Sequence, residues 1–197
     1  VMGLLAISIS MIILLGDINL STVGTAGFSA LSGVLLMKQG LPVVLSILVI
    51  LVVGSFIGLI NGLIVTKLKA NALITTLAMN MVLHGALLAV TGGASISQLP
   101  ESYKFISQGR IGPVPILPIV LFIAFAVFHV VWTRTSFGRA LFAVGGNPRG
   151  AYIAGISVDK VKIGAYVVSG LLSGIAGWLL SGYMGAVTSS FGTTYEM

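Results

Sequence analysis

The sequence has few charged side chains for its length. Of its 197 residues only 7% are charged and 57% are hydrophobic, whereas soluble domains carry roughly 25% charged residues. Such a chain cannot cover the surface of a water-soluble domain. Its apolar runs are continuous rather than alternating with period two, which favours helices over a barrel. We predict an all-α, polytopic transmembrane bundle of about six spans, with residues 1–197 forming one domain.

Cysteine is absent and acidic residues are nearly so, which excludes several kinds of site. The lack of Cys rules out disulfides, Fe–S clusters and thiolate zinc sites. The four acids, Asp17, Glu101, Asp159 and Glu196, lie in separate segments, and no Walker A, GxSxG or HExxH pattern occurs. We therefore predict no catalytic residue, no metal site and no cofactor, so that any ATP hydrolysis must come from a partner.

Two histidines, His84 and His129, lie inside apolar segments. An intramembrane His can relay protons or bind a ligand. Because neither has a carboxylate nearby in the sequence, a packing or hydrogen-bonding role is the favoured interpretation.

The basic residues lie at the ends of apolar runs, where membrane topology explains them. The net charge of +6 does not indicate nucleic-acid binding, because no basic stretch is interleaved with aromatics. Alternating the spans places Lys67, Lys69 and the five basic residues of 133–162 on one side, and Lys38, Lys104 and Arg110 on the other. Basic residues favour the cytoplasmic side. We therefore predict that loop 134–162 is cytoplasmic and loop 91–115 external, with lipid surrounding the spans.

Small residues recur at four-residue spacing in two of the predicted spans. Gly54, Gly58 and Gly62 form one stripe, and Gly170 and Gly174 begin another. In lipid, helices associate by close backbone approach, so these stripes predict tight helix–helix contact.

Polar side chains within the spans are candidates for a translocation path. Asn61, Thr75 and Asn80, with the neighbouring Thr76, stand in otherwise apolar segments. Polar groups in hydrocarbon usually face a bundle interior or a water-filled cavity. Hydrogen bonds between helices explain them equally well, so both interpretations stay open.

A fourth path candidate, Asp17, interrupts the first apolar run together with Asn19 and Ser21. We favour a cap, in which one of these side chains caps the helix that follows. The alternative is a broken helix lining the pathway, with Asp17 held by free N–H groups.

The polar segment 133–162 contains a short helix with both ends marked. Asn147 fits the N-cap, Pro148 the first helical position, and Gly155 the left-handed residue after the helix. An interfacial helix on the inner leaflet is one interpretation. We favour docking to a cytoplasmic protein, because the helix is short and weakly apolar.

The stretch FGRALFAVGGNPRGAYIAGISVDKVKIGAYVVSGLLSGIAG closely resembles the permease subunits of bacterial ATP-binding-cassette importers for ribose, xylose, galactose and related sugars. The segments GDINLSTVG, GLINGLIVTKLKANALITTLAMN and FGTTYEM resemble further parts of the same family. The GGNP version is closer to the sugar permeases than to the branched-chain amino-acid permeases.

The resemblance implies a subunit of a bacterial plasma (inner) membrane importer. Such permeases are longer, so we expect a fragment that lacks the N-terminal span and the C-terminal spans. They pair with a second permease copy, bind a cytoplasmic ATP-binding subunit that holds the ATP, and receive sugar from a periplasmic or extracellular binding protein. In the family, the segment matching this short helix contacts the ATPase, which assigns coupling to Asn147, Pro148, Arg149, Ala151, Ala154, Gly155 and Ile156. Two positions, Gly150 and Tyr152, depart from the usual pattern.

The predicted function is a permease that conducts a pentose or hexose and couples to a separate ATPase. A nucleoside, autoinducer or branched-chain amino-acid substrate is an alternative within the same superfamily. An alternative of another class is an ion-coupled secondary transporter or a channel, which needs functional intramembrane charges, and among the acids only Asp17 offers one.

Overall fold

The computed structural model describes residues 1–188. The segment FGTTYEM, which carries part of the resemblance, occupies 191–197 and lies outside the described residues.

Six helices occupy the positions predicted for spans in the described part of the chain. Four are long and apolar enough to cross a membrane, namely α3 (Val43–Lys67), α4 (Ala72–Thr91), α6 (Ile116–Arg134) and α9 (Val158–Met184). The other two are shorter, with 12 residues in α1 (Met2–Ile13) and 17 in α2 (Thr22–Lys38). The predicted helical membrane bundle is confirmed, although four helices in the described residues, rather than about six, are long and apolar enough to span.

Short elements connect these helices at the two ends of the bundle. At one end lie α7 (Ser136–Gly146) and α8 (Pro148–Ile153). At the other lie α5 (Glu101–Gln108) and two antiparallel strand pairs, in which β1 (Ile96–Ser97) pairs with β4 (Ala186–Val187) and β2 (Arg110–Ile111) with β3 (Val114–Pro115).

Helix α9 lies at the centre of the bundle, and its closest neighbour is α3. A Cβ atom at Gly54 would lie 2.5 Å from the Gly170 carbonyl oxygen, and one at Gly58 would overlap the Tyr166 carbonyl. A Cβ at Gly174 would lie 3.0 Å from the Ile50 carbonyl. Only glycine permits backbones to approach this closely. The predicted tight helix–helix contact along the glycine stripes is confirmed, and the structure shows that the two stripes meet each other.

The two predicted groups of basic residues lie at opposite ends of α9. Near its start, the Lys67 ammonium lies 2.7 Å from Asp159. Near its end, the Tyr103 hydroxyl lies 2.8 Å from Ser181 Oγ, and Gln108 donates to the carbonyls of two residues in the last turn. Tyr103 is fully buried, and this burial raises the pKa of its phenol to about 12. Loop 91–115 therefore covers the end of the bundle opposite to α7 and α8.

The glycine contact predicts a stability difference between two alanine variants. Gly58→Ala places a methyl group against the Tyr166 carbonyl and should lower the free energy of unfolding by about 1–3 kcal/mol. In Gly85→Ala, on α4, the new methyl group meets no described atom within 4 Å, so stability should not fall. Thermal or denaturant unfolding in detergent measures both, and an equal effect at the two positions would contradict the account.

Candidate transport site

The chain leaves the helical conformation between α1 and α2, and we call residues 14–20 the break. The predicted local cap is found only in part. Asn19 Oδ1 accepts from the amide of Ser21, the N-cap residue of α2, at 3.0 Å, but the Ser21 side chain makes no capping bond within the described residues. Asp17 instead accepts a hydrogen bond from the Lys162 ammonium, with 2.9 Å between Oδ2 and Nζ. The Asp17 and Lys162 side chains are only 15% and 20% exposed. Asp17 therefore lies at the end of the bundle where α9 begins.

Helix α4 supplies further capping groups for the break and for α2. Asn80 Oδ1 accepts from the amide of Gly24, the third residue of α2, at 3.0 Å. Thr76 Oγ1 accepts from the amide of Leu20 at 3.1 Å and lies 3.3 Å from the carbonyl oxygen of Ile18. Backbone groups outside a helix need such partners where water is scarce. The helix that follows the break is thus capped by a neighbouring helix.

A buried polar network joins the break to α1, α3 and α9. Ser8 donates to the Ser169 carbonyl at 2.9 Å, and the two hydroxyl oxygens are 2.8 Å apart. Asn19 donates to Ser169 Oγ at 3.1 Å and accepts from the Ser21 hydroxyl at 2.8 Å. Asn61 donates to Ser21 Oγ at 2.8 Å. All five side chains are fully or almost fully buried.

The amide of Asn61 is only partly satisfied. Its Oδ1 atom is buried and has no hydrogen-bond partner within residues 1–188. Turning the amide over would put an NH₂ donor at this unpartnered position. The amide oxygen would then face Ser21 Oγ, whose proton is already donated to Asn19. The network therefore has unused hydrogen-bonding capacity beside the break.

The four path candidates have different surroundings. Asn61 belongs to the buried network, Asn80 caps α2, and Asp17 is paired with Lys162. The side chain of Thr75 is half-buried and makes no hydrogen bond that the described structure shows, whereas Thr76 contacts the break. For Asn61 and Asn80, the structure shows the hydrogen bonds between helices that the sequence left as one of two interpretations.

A cavity borders the end of the break that is nearer to α2. It has a volume of about 270 Å³ and lies between α1, the break, α2 and α4. Its lining residues are Ile9, Asn19, Leu20, Thr22, Val23, Leu77 and Asn80. Polar amide and hydroxyl groups set among aliphatic side chains are typical of sites for small polar solutes.

Helix α8 forms as predicted, with both ends capped. Asn147 Oδ1 accepts from the Gly150 amide at 2.9 Å, and Pro148 is the first helical residue. Gly155 has φ of +82°, and the amide of Ile156 donates to the Ala151 carbonyl at 2.9 Å. This is the glycine-terminated helix end that the sequence indicated.

Helix α8 is held by one side chain and presents the others to its surroundings. Ala151 is 5% exposed and packs in a cluster with residues of α1, α3, α7 and α9. Tyr152 and Ile153 are 74% and 84% exposed, and Arg149 and Ala154 are also exposed. Of the residues to which the resemblance assigns coupling, Ala151 is therefore buried and attaches α8 to the bundle, whereas Arg149 and Ala154 are exposed to a possible partner.

The two histidines do not form a metal site with acidic residues. His84 is half-buried in α4 and His129 is exposed on α6. In the described part of the chain no group of three His, Cys, Asp or Glu side chains is placed to hold a metal ion.

Comparison with known proteins identifies the family. The model for the permease component of the branched-chain amino acid transport system matches residues 1–197. The chain belongs to this family. It has several helices that can cross a membrane and belongs to a family of permeases, which are not enzymes, and the predicted resemblance to sugar-importer permeases is confirmed.

Curated relatives include permeases of several import systems. The chain is 35% identical to the ribose import permease protein of Bacillus subtilis, over 99% of this chain and 61% of the relative. It is 30% identical to the galactose/methyl galactoside import permease protein of Haemophilus influenzae, over 80% of this chain and 49% of the relative. It is 32% identical to the autoinducer 2 import system permease protein LsrC of Yersinia enterocolitica, over 98% and 54%.

The chain thus spans about half to three fifths of the length of these relatives. No solved structure matches it.

Two adjacent threonines provide a test of the contact between α4 and the break. Thr76→Val keeps the side-chain volume but removes the acceptor for the Leu20 amide, and should lower the free energy of unfolding by about 1–2 kcal/mol. Thr75→Val should change it by less than about 0.5 kcal/mol. Unfolding in detergent measures both variants, and equal stability of the two would contradict the proposed contact.

Proposed function

We propose that this chain forms the translocation path for a sugar in an ATP-driven importer and couples to a separate cytoplasmic ATPase through α8. Its family membership supports an import permease. The observation that carries the coupling role is the exposure of Tyr152 and Ile153 on a helix that is rigidly capped and anchored. A capped helix that presents apolar side chains has the features of a docking element, since ordering it on binding costs little further entropy.

The charge distribution supports a cytoplasmic position for α8. The end of the bundle that holds α7 and α8 carries seven of the ten Lys and Arg residues, and basic residues favour the cytoplasmic side. The ATPase therefore reaches α8 from the cytoplasm, and a binding protein delivers the solute at the opposite end. A second permease copy completes the membrane part, and the assembly resides in the bacterial inner membrane.

The cavity and the buried network support a path for a polar solute. Asn19, Thr22 and Asn80 offer amide and hydroxyl groups beside aliphatic walls, a combination that suits the hydroxyl groups and the apolar faces of a sugar. Two of the relatives are named for import of ribose and of galactose, and a third for autoinducer 2. A sugar is the proposed substrate, with autoinducers, nucleosides and branched-chain amino acids as the alternatives.

Ion pairing argues against an ion-coupled transporter. Each of the three acids within residues 1–188 is paired with a lysine, Asp17 with Lys162, Glu101 with Lys104 and Asp159 with Lys67. A carboxylate that is already neutralised is poorly suited to carry a coupling ion. ATP bound by the partner subunit is the proposed energy source, and this chain needs no cofactor of its own.

A substitution on the exposed face of α8 tests the coupling role. Ile153→Asp places a charge on a side chain that is 84% exposed, so the bundle should insert and fold normally. Docking should weaken, since truncating or charging a central interface residue often costs about 2 kcal/mol or more. We expect ATP-dependent sugar uptake by the full-length protein, reconstituted with its ATPase and binding protein, to fall roughly tenfold or more.

Ile153→Leu is the matched control and should retain uptake. Gly155→Pro and Arg149→Glu should also uncouple transport from ATP hydrolysis, because the first is incompatible with φ of +82° and the second reverses an exposed charge. Wild-type uptake in all three variants, Ile153→Asp, Gly155→Pro and Arg149→Glu, would contradict the proposed coupling role.

A further inference from the structure

We propose that the break at 14–20 transmits movement of α8 to the translocation path, with Gly145 and the Asp17–Lys162 ion pair as its positioning residues. This inference rests on the proposed function and adds the route by which a force applied at α8 reaches the solute. The spans that flank the 133–162 loop are α6 and α9, and the break belongs to neither.

The first step of the route is the rigid connection between α7 and α8. Only Asn147 separates the two helices, and it serves as C-cap of one and N-cap of the other. Ala151 of α8 and the buried Leu141 and Val144 of α7 belong to one packed cluster. Densely packed side chains do not compress, so a push on α8 moves α7 with it.

The second step is a backbone contact between α7 and the start of the break. A Cβ atom at Gly145 would overlap the carbonyl oxygen of Leu14 and lie 3.3 Å from Cα of Leu15. No side chain separates the two backbones here, so α7 cannot move towards α1 without displacing residues 14 and 15. The adjacent Gly146 is different, because a Cβ there meets no atom of the described structure within 4 Å.

The third step is the tie between the break and α9. The Asp17 carboxylate and the Lys162 ammonium are 2.9 Å apart and mostly buried. Breaking such a pair by removing one partner leaves a poorly solvated charge, so the pair resists separation. It joins the break to the first turns of α9, which begins five residues after the end of α8.

The end of the break nearer to α2 borders the cavity that we propose as part of the translocation path. Leu20 is held by Thr76, and Asn19 donates to Ser169. Both Asn19 and Leu20 line the cavity of about 270 Å³. A shift at residues 14–17 therefore changes the hydrogen bonds at residues 18–20 that define the cavity wall, and packed elements of this kind switch between discrete positions rather than deform smoothly.

The test compares sugar uptake with ATP hydrolysis in the full-length protein reconstituted with its ATPase and binding protein. Gly145→Ala and Asp17→Asn should still assemble with the ATPase and hydrolyse ATP. Uptake per ATP hydrolysed should fall roughly fivefold or more, the usual lower range for loss of coupling between sites. A purely structural role would lower assembly, hydrolysis and uptake together.

Matched controls exist for both positioning features. Gly146→Ala is the control for Gly145→Ala. The exposed Lys67–Asp159 pair, at the same end of the bundle, is the control for the buried one, and Lys67→Met with Asp159→Asn should leave uptake per ATP unchanged. The conservative Lys162→Arg should retain coupling, and exchanging the charges (Asp17→Lys with Lys162→Asp) should restore uptake per ATP relative to Asp17→Asn.

Wild-type uptake per ATP in both Gly145→Ala and Asp17→Asn would overturn this inference while leaving the docking role of α8 intact. Should Gly145→Ala fail to fold, Asp17→Asn and the charge exchange decide the matter alone. Absence of ATP-dependent uptake by the wild-type assembly would overturn the proposed function and this inference with it.

Discussion

The backbone contact between α3 and α9 is the constraint on which the rest of the bundle depends. Gly54 and Gly58 on one helix meet Gly170 and the Tyr166 carbonyl on the other without intervening side chains. Lipid chains are as apolar as leucine, so helices in a membrane gain little from hydrophobic burial, and close packing supplies much of their association energy. This contact fixes α9 as the axis against which the break, α5 and α7 are positioned.

Neighbouring helices satisfy the part of the break's backbone that the end of α1 does not reach. An unpaired amide or carbonyl in hydrocarbon costs several kcal/mol. Thr76 and Asn80 of α4 accept from Leu20 and Gly24, and Asn19 and Ser21 join the network around Ser169. A segment held by a few exchangeable side-chain hydrogen bonds is easier to rearrange than a continuous helix, whereas the glycine contact next to it has no such freedom. The bundle thus combines a rigid pair of helices with one adjustable segment.

The sequence predicted the features that depend on local spacing. Apolar length predicted the positions of the six helices, four-residue glycine spacing predicted close contact along α3 and α9, and Asn147 and Gly155 marked the ends of α8. Each of these signals lies within a single helix or its caps. The sequence also predicted that the two groups of basic residues lie at opposite ends of the bundle, because this depends only on the alternation of the spans.

Contacts between distant parts of the chain could not be predicted in this way. Asp17 and Lys162 are 145 residues apart, and Asn80 caps Gly24 from 56 residues away. The sequence predicted that polar residues of the break cap the next helix. The same residues could equally bond to a distant helix, and no spacing rule distinguishes the two arrangements. The sequence does not show which of the adjacent Thr75 and Thr76 faces the break. Neighbouring residues point about 100° apart on a helix, so only the packing of α4 decides this.

The most direct test of the account is a pair of structures of the full-length permease bound to its ATPase subunits, one without nucleotide and one with ATP. The account predicts that α8 lies in contact with the ATPase, and that residues 14–20 move relative to α9 between the two states while Gly58 stays against Tyr166. A break that keeps one position in both states, or an α8 that does not touch the ATPase, would contradict it.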